Sequence, residues 1–180
     1  MEERELVKHC QQSDRKAQEL LYSTFAGKMF RISYRYMKSD METEDVIIVA
    51  FGKAFNAIRS FNYQGPGSLE AWLRRIVINE SLMSLRKKHN FNLTESIDET
   101  VPEPDLKQFS ESGADDIYKM ITQLPTGYRT VFNLSTIEGY SHEEIAAMLG
   151  ISEGTSRSQL FKAKALLKKM LTREGFHYGT

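Results

Sequence analysis

The chain has 180 residues, and its 24 basic side chains balance 24 acidic ones. Hydrophobic residues make up 41% and charged residues 27%, which is ordinary for a folded protein and excludes disorder of the whole chain. The longest apolar run, residues 46–51, is far shorter than the roughly 20 residues that span a bilayer. The N-terminus shows no secretory signal, and a single cysteine, Cys10, can form neither an internal disulfide nor a Cys-based zinc site. We therefore expect a cytoplasmic protein.

Charge is strongly segregated along the chain although the total is zero. Residues 1–88 have a net charge of plus four, residues 89–113 of minus five and residues 114–180 of plus one. Within the last part, residues 154–173 hold six basic side chains and no acidic one. Two basic segments are thus separated by an acidic one, which is a pattern typical of nucleic-acid binding.

The acidic segment has the composition of a linker, with two prolines, many Ser and Thr residues and few large apolar side chains. Such a segment buries too little apolar surface to offset the entropy lost on ordering. The sequence therefore predicts two small domains over 1–89 and 114–175. A flexible acidic linker over 90–113 joins them, and a tail follows over 176–180.

Helical periodicity dominates the first domain. One helix or a pair is expected over 4–37, and a possible capping box, Ser39-x-x-Glu42, precedes apolar residues at helical spacing up to position 58. The segment 62–68 contains Gly-Pro-Gly and predicts a loop, after which Ser68 is placed to cap a helix ending near 88. No segment predicts a strand, so the fold class is all-α.

The second domain predicts a helix-turn-helix. After Pro125, a helix is expected over 128–137, and the capping box Ser141-x-x-Glu144 starts a short helix that ends at Gly150. Ser152 then caps a final helix over about 153–172. Two helices joined by a turn of three or four residues are the unit that places its second helix in a DNA major groove.

The final helix separates an apolar face from a basic one. The inward face consists of Leu160, Ala163, Leu167, Met170 and Leu171. The other face consists of Arg157, Ser158, Phe161, Lys162, Lys164 and Lys168. A basic face on one helix is usually only solvated surface. Behind a capped turn, it favours contact with duplex DNA.

The helix over 69–88 carries a stripe of Arg75, Asn79, Met83 and Arg86, and Tyr63 lies in the loop before it. Aromatic rings and basic or amide groups side by side are what unpaired bases require. The alternative is structural: Trp72 is expected in the core, and the lysines after Arg86 then serve only to end the helix.

No pattern indicates catalysis. The four histidines show no metal-ligand spacing, no phosphate-binding glycine loop is present, and Cys10 has no evident base partner. We predict that the protein is not an enzyme and needs no cofactor or metal.

Two sets of residues resemble the extracytoplasmic-function (ECF) sigma factors of RNA polymerase. Similar to region 4 are Leu124-Pro125-x-x-x-Arg129-x-Val131-Phe132, Glu138-Gly139-x-Ser141-x-x-Glu144-Ile145-Ala146 and Leu149-Gly150-Ile151-Ser152-x-Gly154-Thr155-x-Arg157-Ser158-x-Leu160-x-Lys162-Ala163. Similar to region 2 are Glu44-Asp45-Val46, Phe51, Ala54-Phe55, Trp72-Leu73-x-Arg75-Ile76-x-x-Asn79 and Leu85-Arg86.

The resemblance implies a protein that binds core RNA polymerase and directs it to promoters. Region 2 is expected to dock on the clamp helices of the largest subunit and to melt the −10 element. Region 4 is expected near the flap of the second-largest subunit, where it reads the −35 element, and an anti-sigma factor is a further expected partner. By position, the −35 contacts would be Arg157, Ser158, Phe161 and Lys162. The −10 contacts would be Tyr63, Gly67, Ser68, Arg75 and Asn79. The polymerase contacts would be Asp45, Ile48 and Val49.

The sequence departs from the family pattern at three places. Ile48 and Val49 replace polar residues on the docking helix, Met83 replaces an aspartate, and Ser156 replaces a valine. Two other functions remain open on the residues alone. A helix-turn-helix regulator acting without polymerase would explain 114–175 only, and a protein-interaction module would use the basic helices and the apolar patch at 46–51.

Overall fold

A computed structural model describes residues 1–89 and 113–173, and these are helical without any strand in either range. The predicted linker and the tail fall outside the described residues, apart from Gly113. The chain divides into two compact units, residues 1–90 and 91–180. The all-α fold class is therefore confirmed.

The first unit is built on three long helices that pack against one another. Its elements are α1 (Glu3–Gln11), α2 (Arg15–Met37), α3 (Asp40–Ala57), a 3₁₀ turn (Ile58–Ser60) and α4 (Ser68–His89). Helices α2, α3 and α4 contact each other pairwise, and α1 packs against α2 and the 3₁₀ turn. The largest fully buried side chains of this core are Leu21, Met29, Tyr36, Ile58, Leu69, Leu73, Ile78 and Leu85. Each buried aliphatic side chain contributes about 1.5–3 kcal/mol, so packing holds the three helices together.

Polar contacts also fix the three helices relative to one another. The hydroxyls of Ser33 on α2 and Ser81 on α4 lie 2.9 Å apart, and both residues are fully buried. An ion pair joins Lys28 to Glu70 at 2.6 Å, and another joins Lys53 to Glu80. Since a buried hydroxyl without a partner is costly, the serine pair favours this one arrangement of α2 against α4.

The cap at α3 is confirmed in part, and the cap at α4 differs from the prediction. The Ser39 hydroxyl accepts from the Glu42 amide, which is one half of the predicted capping box. The prediction that Ser68 caps the last helix of this unit is wrong. Ser68 lies inside α4, and its hydroxyl accepts from the Gln64 amide at 3.2 Å and donates to the Gly65 carbonyl at 2.7 Å. The hydroxyl stabilises the preceding loop instead, because Gly65 and Gly67 with positive φ turn the backbone toward it.

The second unit consists of one long helix and several shorter ones that pack against it. Its elements are α5 (Gly113–Gln123), α6 (Thr126–Phe132), a π-helical turn (Asn133–Ile137), α7 (His142–Leu149) and α8 (Glu153–Arg173). The apolar core joins α5 and α6 to α8 through Met120, Leu124, Tyr128, Phe132, Ala163, Leu167 and Met170. The predicted helix over 128–137 is present, but its last five residues form the π turn, where the Glu138 amide donates to the Asn133 carbonyl.

Arg129 explains part of the sequence motif around Pro125. Its side chain is buried, and Nη1 donates to the Leu124 carbonyl at 2.7 Å. Burial lowers the pKa of Arg129 to about 10, so the guanidinium keeps its charge at neutral pH. The arginine thus braces the bend between α5 and α6 and is a structural residue of this unit.

The helix-turn-helix is formed by α7, a turn at Gly150–Ser152 and α8. Ser141 and Glu144 make the predicted capping box, with the Glu144 amide donating to the Ser141 hydroxyl at 3.1 Å and the Ser141 amide to the Glu144 carboxylate at 2.7 Å. Gly150 ends α7 in the left-handed region with φ 68°, and the Thr155 amide donates to the Ser152 hydroxyl. Both caps agree with the sequence prediction.

Removal of the Ser141 hydroxyl should destabilise the helix-turn-helix measurably. We expect Ser141→Ala to lower the free energy of unfolding by about 0.5–2 kcal/mol, the usual effect of losing a helix N-cap. Urea denaturation followed by circular dichroism on the full chain measures this change. Ser158→Ala, at an exposed position of α8, is the control and should leave the midpoint where it is. Equal stability of both variants would show that the capping box contributes nothing.

Candidate nucleic-acid interface

The outward face of α8 is basic and carries one large aromatic ring. Helix α8 buries Ser156, Gln159, Ala163, Leu167 and Met170, which leaves the opposite side in solvent. The four residues predicted for −35 contact, Arg157, Ser158, Phe161 and Lys162, are all exposed there. Phe161 is 75% exposed, although phenylalanine is among the residue types most often buried. The structure thus brings these four side chains onto one face within two helical turns.

Arg157 is paired in the free protein. Its Nη2 donates to Glu153 Oε2 at 2.8 Å, four residues earlier on the same helix. The spacing of the two residues was the available sequence signal, and the prediction overlooked it. Exposed pairs of this kind contribute only about 0.3–0.5 kcal/mol, so a DNA partner can take over the guanidinium at small cost.

Ser156 joins the two helices of the helix-turn-helix. It is fully buried, and its hydroxyl lies 2.8 Å from Nδ1 of His142 at the start of α7. A valine at this position, as in the family pattern, cannot make that hydrogen bond. His142 thus gives the buried hydroxyl of Ser156 a hydrogen-bond partner within the unit.

The loop before α4 and the outward stripe of α4 hold the predicted −10 residues. Tyr63 is half-buried in the loop. The pKa of its phenol is raised, mainly by this partial burial and secondly by the negative charge of Glu3. Arg75 and Asn79 are exposed on α4 one turn apart, and Met83 continues the stripe at 41% exposure. Gly67 and Ser68 differ from the other three predicted −10 residues. The backbone amide of Gly67 and the hydroxyl of Ser68 already form hydrogen bonds within the protein.

The base of this loop is aromatic. The rings of Phe61 and Trp72 have centroids 4.8 Å apart, and both residues are half-buried. Trp72 is only half-buried, so the expectation that it lies in the core holds for part of its surface. The pair ties the loop to the second turn of α4.

Helix α1 forms the other wall of a cleft next to this loop. The cleft has a volume of about 480 Å³. It is lined by Arg4, Val7, Lys8, Gln11, Phe61, Asn62, Tyr63 and Gly65. Sequence reasoning missed the contribution of α1, because its residues precede the loop by about fifty positions and carry no motif of their own.

The residues predicted to dock on polymerase lie on the surface of α3. Asp45 is exposed, and Ile48 and Val49 are 67% and 48% exposed, in agreement with the prediction of an apolar patch. Ile48 also lines a groove of about 440 Å³ between α2 and α3. The other residues of this groove are Tyr22, Ala26, Gly27, Phe30, Glu44 and Ile47. Ile48 and Val49 thus add exposed aliphatic surface to α3 beside this groove.

The two described ranges contain no group of three or more His, Cys, Asp or Glu residues that could hold a metal ion. Cys10 is buried, and burial together with Asp14 raises the pKa of its thiol to about 11, so the thiol stays protonated and unreactive. None of the helices in the described part of the chain is long and apolar enough to cross a membrane.

Two family models match the two units. Residues 21–91 match Sigma-70 region 2, and residues 114–167 match Sigma-70, region 4. The two matches thus place the chain in the class of the sigma factors, which are transcription initiation factors.

Individual relatives show which family of sigma factors the chain belongs to. The chain is 30% identical to the ECF RNA polymerase sigma-E factor of Escherichia coli K12 over 88% of both chains. It is 28% identical to the RNA polymerase sigma-H factor of Pseudomonas aeruginosa over 94% of both. The chain belongs to the ECF sigma factors, which bind core RNA polymerase and promoter DNA and direct promoter-specific transcription.

A solved structure shares the fold at lower identity. The structure of CnrH in complex with the cytosolic domain of CnrY is 22% identical and superimposes with a TM-score of 0.52 over 94% of this chain and 97% of that one. Together the matches account for both units, whereas a regulator acting without polymerase would leave residues 1–89 without a role.

Proposed function

We propose that the two units divide promoter recognition between them. Residues 1–89 act as region 2, which docks on polymerase and binds the −10 element, and residues 114–175 act as region 4, which reads the −35 element as duplex. The acidic segment 90–113 tethers the two, and linked modules bind two DNA sites more tightly than either module alone. The observation that carries this proposal is the exposed face of Arg157, Ser158, Phe161 and Lys162 behind the helix-turn-helix.

The −35 assignment is supported by the position of each side chain on α8. Arg157 and Ser158 lie in the second turn of the helix, close to the turn that enters a major groove. An arginine fork pairs with guanine O6 and N7, and an apolar ring such as Phe161 contacts a thymine methyl group. Lys162 lies one turn further along, where an ammonium group suits a phosphate.

The −10 assignment divides its five residues into two roles. Tyr63, Arg75 and Asn79 present a ring, a cation and an amide, which suit stacking on and hydrogen bonding to a displaced single strand. Gly67 and Ser68 shape the loop that carries Tyr63, because their polar groups are bonded to Glu3, Gln64 and Gly65.

The polymerase assignment places Asp45, Ile48 and Val49 of α3 against the clamp helices of the largest subunit, with the second unit near the flap of the second-largest subunit. The exposed apolar surface around Ile48 supports a helical partner, since the groove beside it lies between two helices. An anti-sigma factor that covers the same face would hold the protein inactive in the cytoplasm, and the complex of CnrH with the cytosolic domain of CnrY supports this regulation.

Run-off transcription with core polymerase and a promoter library tests the division of labour. We expect transcripts only when both the chain and core polymerase are present, and the selected promoters should share an upstream and a downstream motif. Asn79→Ala should relax only the downstream motif, and Arg157→Ala only the upstream one. Binding of duplex DNA without polymerase, and no transcripts, would instead indicate a regulator. Neither activity would indicate a protein-interaction module.

A further inference from the structure

Two residues of α1 form hydrogen bonds to the two ends of the loop before α4. At the start of the loop, Gln11 Nε2 donates to the carbonyls of Phe61 at 2.8 Å and Ile58 at 3.3 Å. At the end of the loop, the Glu3 carboxylate accepts from the amide of Gly67 at 2.9 Å and from the amide of Leu69 at 3.0 Å. The loop that carries Tyr63 is therefore fixed to a helix more than fifty residues earlier in the chain.

The Glu3 carboxylate is matched to the site that it occupies. Its two oxygens each take one backbone amide at the start of α4, where the first amides of a helix lack intrahelical partners and favour negative charge. Gly67, with φ 84°, turns its amide toward Glu3, and side chains rarely tolerate that conformation. A neutral amide in place of the carboxylate offers one acceptor oxygen instead of two, so it cannot keep both bonds.

The loop lies between these two attachments. Its middle, with Asn62, Tyr63 and Gly65, forms one wall of the cleft of about 480 Å³, and Arg4 and Lys8 of α1 contribute cations to the other wall. Helix α1 lies outside residues 21–91, the part that matches Sigma-70 region 2. The position of Tyr63 relative to α4 thus depends on a helix that the matched region does not contain.

We propose that Glu3 is a positioning residue for −10 recognition: it fixes the loop of Tyr63 against α4 and so sets the preference for −10 bases. The proposal rests on the assignment of this loop to the −10 element. Glu3 acts through Gly67 and Leu69 and makes no DNA contact itself. Its loss should therefore reduce selectivity at −10 and leave the −35 preference unchanged.

The test compares Glu3→Gln with Glu5→Gln, which makes the same charge change at an exposed position of α1. Run-off transcription with holoenzyme on single-base variants of both promoter elements measures the preference. For Glu3→Gln we expect discrimination among −10 variants to fall about tenfold, the effect of losing one hydrogen bond to a charged group. Discrimination at −35 should stay as in the unmodified chain, while the thermal midpoint should fall by the modest amount expected for a weakened helix cap. Glu5→Gln should match the unmodified chain in every respect.

Amide exchange in the free protein, followed by NMR, supplies a readout that does not depend on transcription. The Gly67 and Leu69 amides should exchange faster in Glu3→Gln than in the unmodified chain. In Glu5→Gln their exchange rates should equal those of the unmodified chain. Glu3→Asp, which keeps the charge but is one methylene shorter, should fall between, because it cannot reach both amides.

Three results would overturn the proposal. An equal loss at both promoter elements with a lower thermal midpoint would make Glu3 a purely structural cap. A gain in −10 activity would mean that the carboxylate occupies the place of a DNA phosphate. Unchanged amide exchange would show that Glu3 does not hold the loop. If the unmodified chain gives no promoter-dependent transcript, the proposed function itself is wrong, and the exchange data still decide whether Glu3 fixes the loop.

Discussion

Arg157→Ala should cost about 1–3 kcal/mol of holoenzyme binding on the preferred −35 sequence and should relax the preference at one or two base positions. The reason is its place near the start of α8, where a recognition helix meets the base edges. The measurement is binding of holoenzyme to a panel of single-base −35 variants at several salt concentrations. In the free protein Arg157 pairs with Glu153, and this exposed pair is weak enough to be exchanged for a DNA partner.

Lys168→Ala is the matched control on the same helix. Lys168 is exposed three turns beyond Arg157, too far along α8 to reach the same bases. Its removal should weaken all −35 variants about equally and reduce the salt dependence by about one phosphate contact. Glu153→Gln breaks the ion pair but keeps the arginine, so base preference should survive. If Arg157→Ala lowers every variant by the same factor, Arg157 is a phosphate contact and the base-reading assignment is wrong.

The helix-turn-helix was predictable in detail because its signals are local. Ser141 and Glu144 lie three residues apart and satisfy each other's amides, and Gly150 adopts the left-handed conformation that ends a helix. The outward position of Arg157 and Phe161 followed from the spacing of the apolar residues on the same helix. Two side-chain pairs were overlooked: Arg157 with Glu153, whose spacing was visible in the sequence, and Ser156 with His142.

The start of α4 was predicted to within one residue, but its cap was not predictable because the capping carboxylate comes from a distant part of the chain. Ser68 has the right residue type for a cap, but its hydroxyl finds the nearer Gln64 amide and Gly65 carbonyl in the glycine-containing loop. The amides of Gly67 and Leu69 instead donate to a carboxylate from α1, and Glu3 is 64 residues before Gly67. A tertiary contact of that kind leaves no pattern in the sequence of either segment.

The apolar run at 46–51 shows what periodicity can resolve. Helical spacing at positions 46, 47, 50, 51, 54, 55 and 58 puts Ile47 on the inward face of the helix and leaves Ile48 and Val49 outside it. The structure separates them: Ile47 is 4% exposed and Ile48 is 67% exposed. This difference between neighbours of identical chemistry offers a sharp test of the docking surface.

Ile48→Glu should weaken binding to core polymerase strongly while leaving the thermal midpoint nearly unchanged. Burying an exposed isoleucine against a partner contributes about 1.5–3 kcal/mol, and a glutamate in the same contact loses that term and adds a desolvation cost. In the free chain the side chain is in solvent, so a charge there costs little. The measurements are the Kd for core polymerase, by titration with a fluorescently labelled chain, and thermal unfolding of the free chain.

Ile47→Ala is the control with the opposite signature. Because Ile47 is buried between α2 and α3, its truncation should lower the free energy of unfolding by about 2–5 kcal/mol. The chains that remain folded should still bind polymerase, since the exposed face of α3 is intact. If instead Ile48→Glu destabilises the free chain as much as Ile47→Ala does, Ile48 is a core residue. If it leaves the Kd for polymerase unchanged, the apolar face of α3 serves another partner, and the docking assignment of Ile48 is wrong.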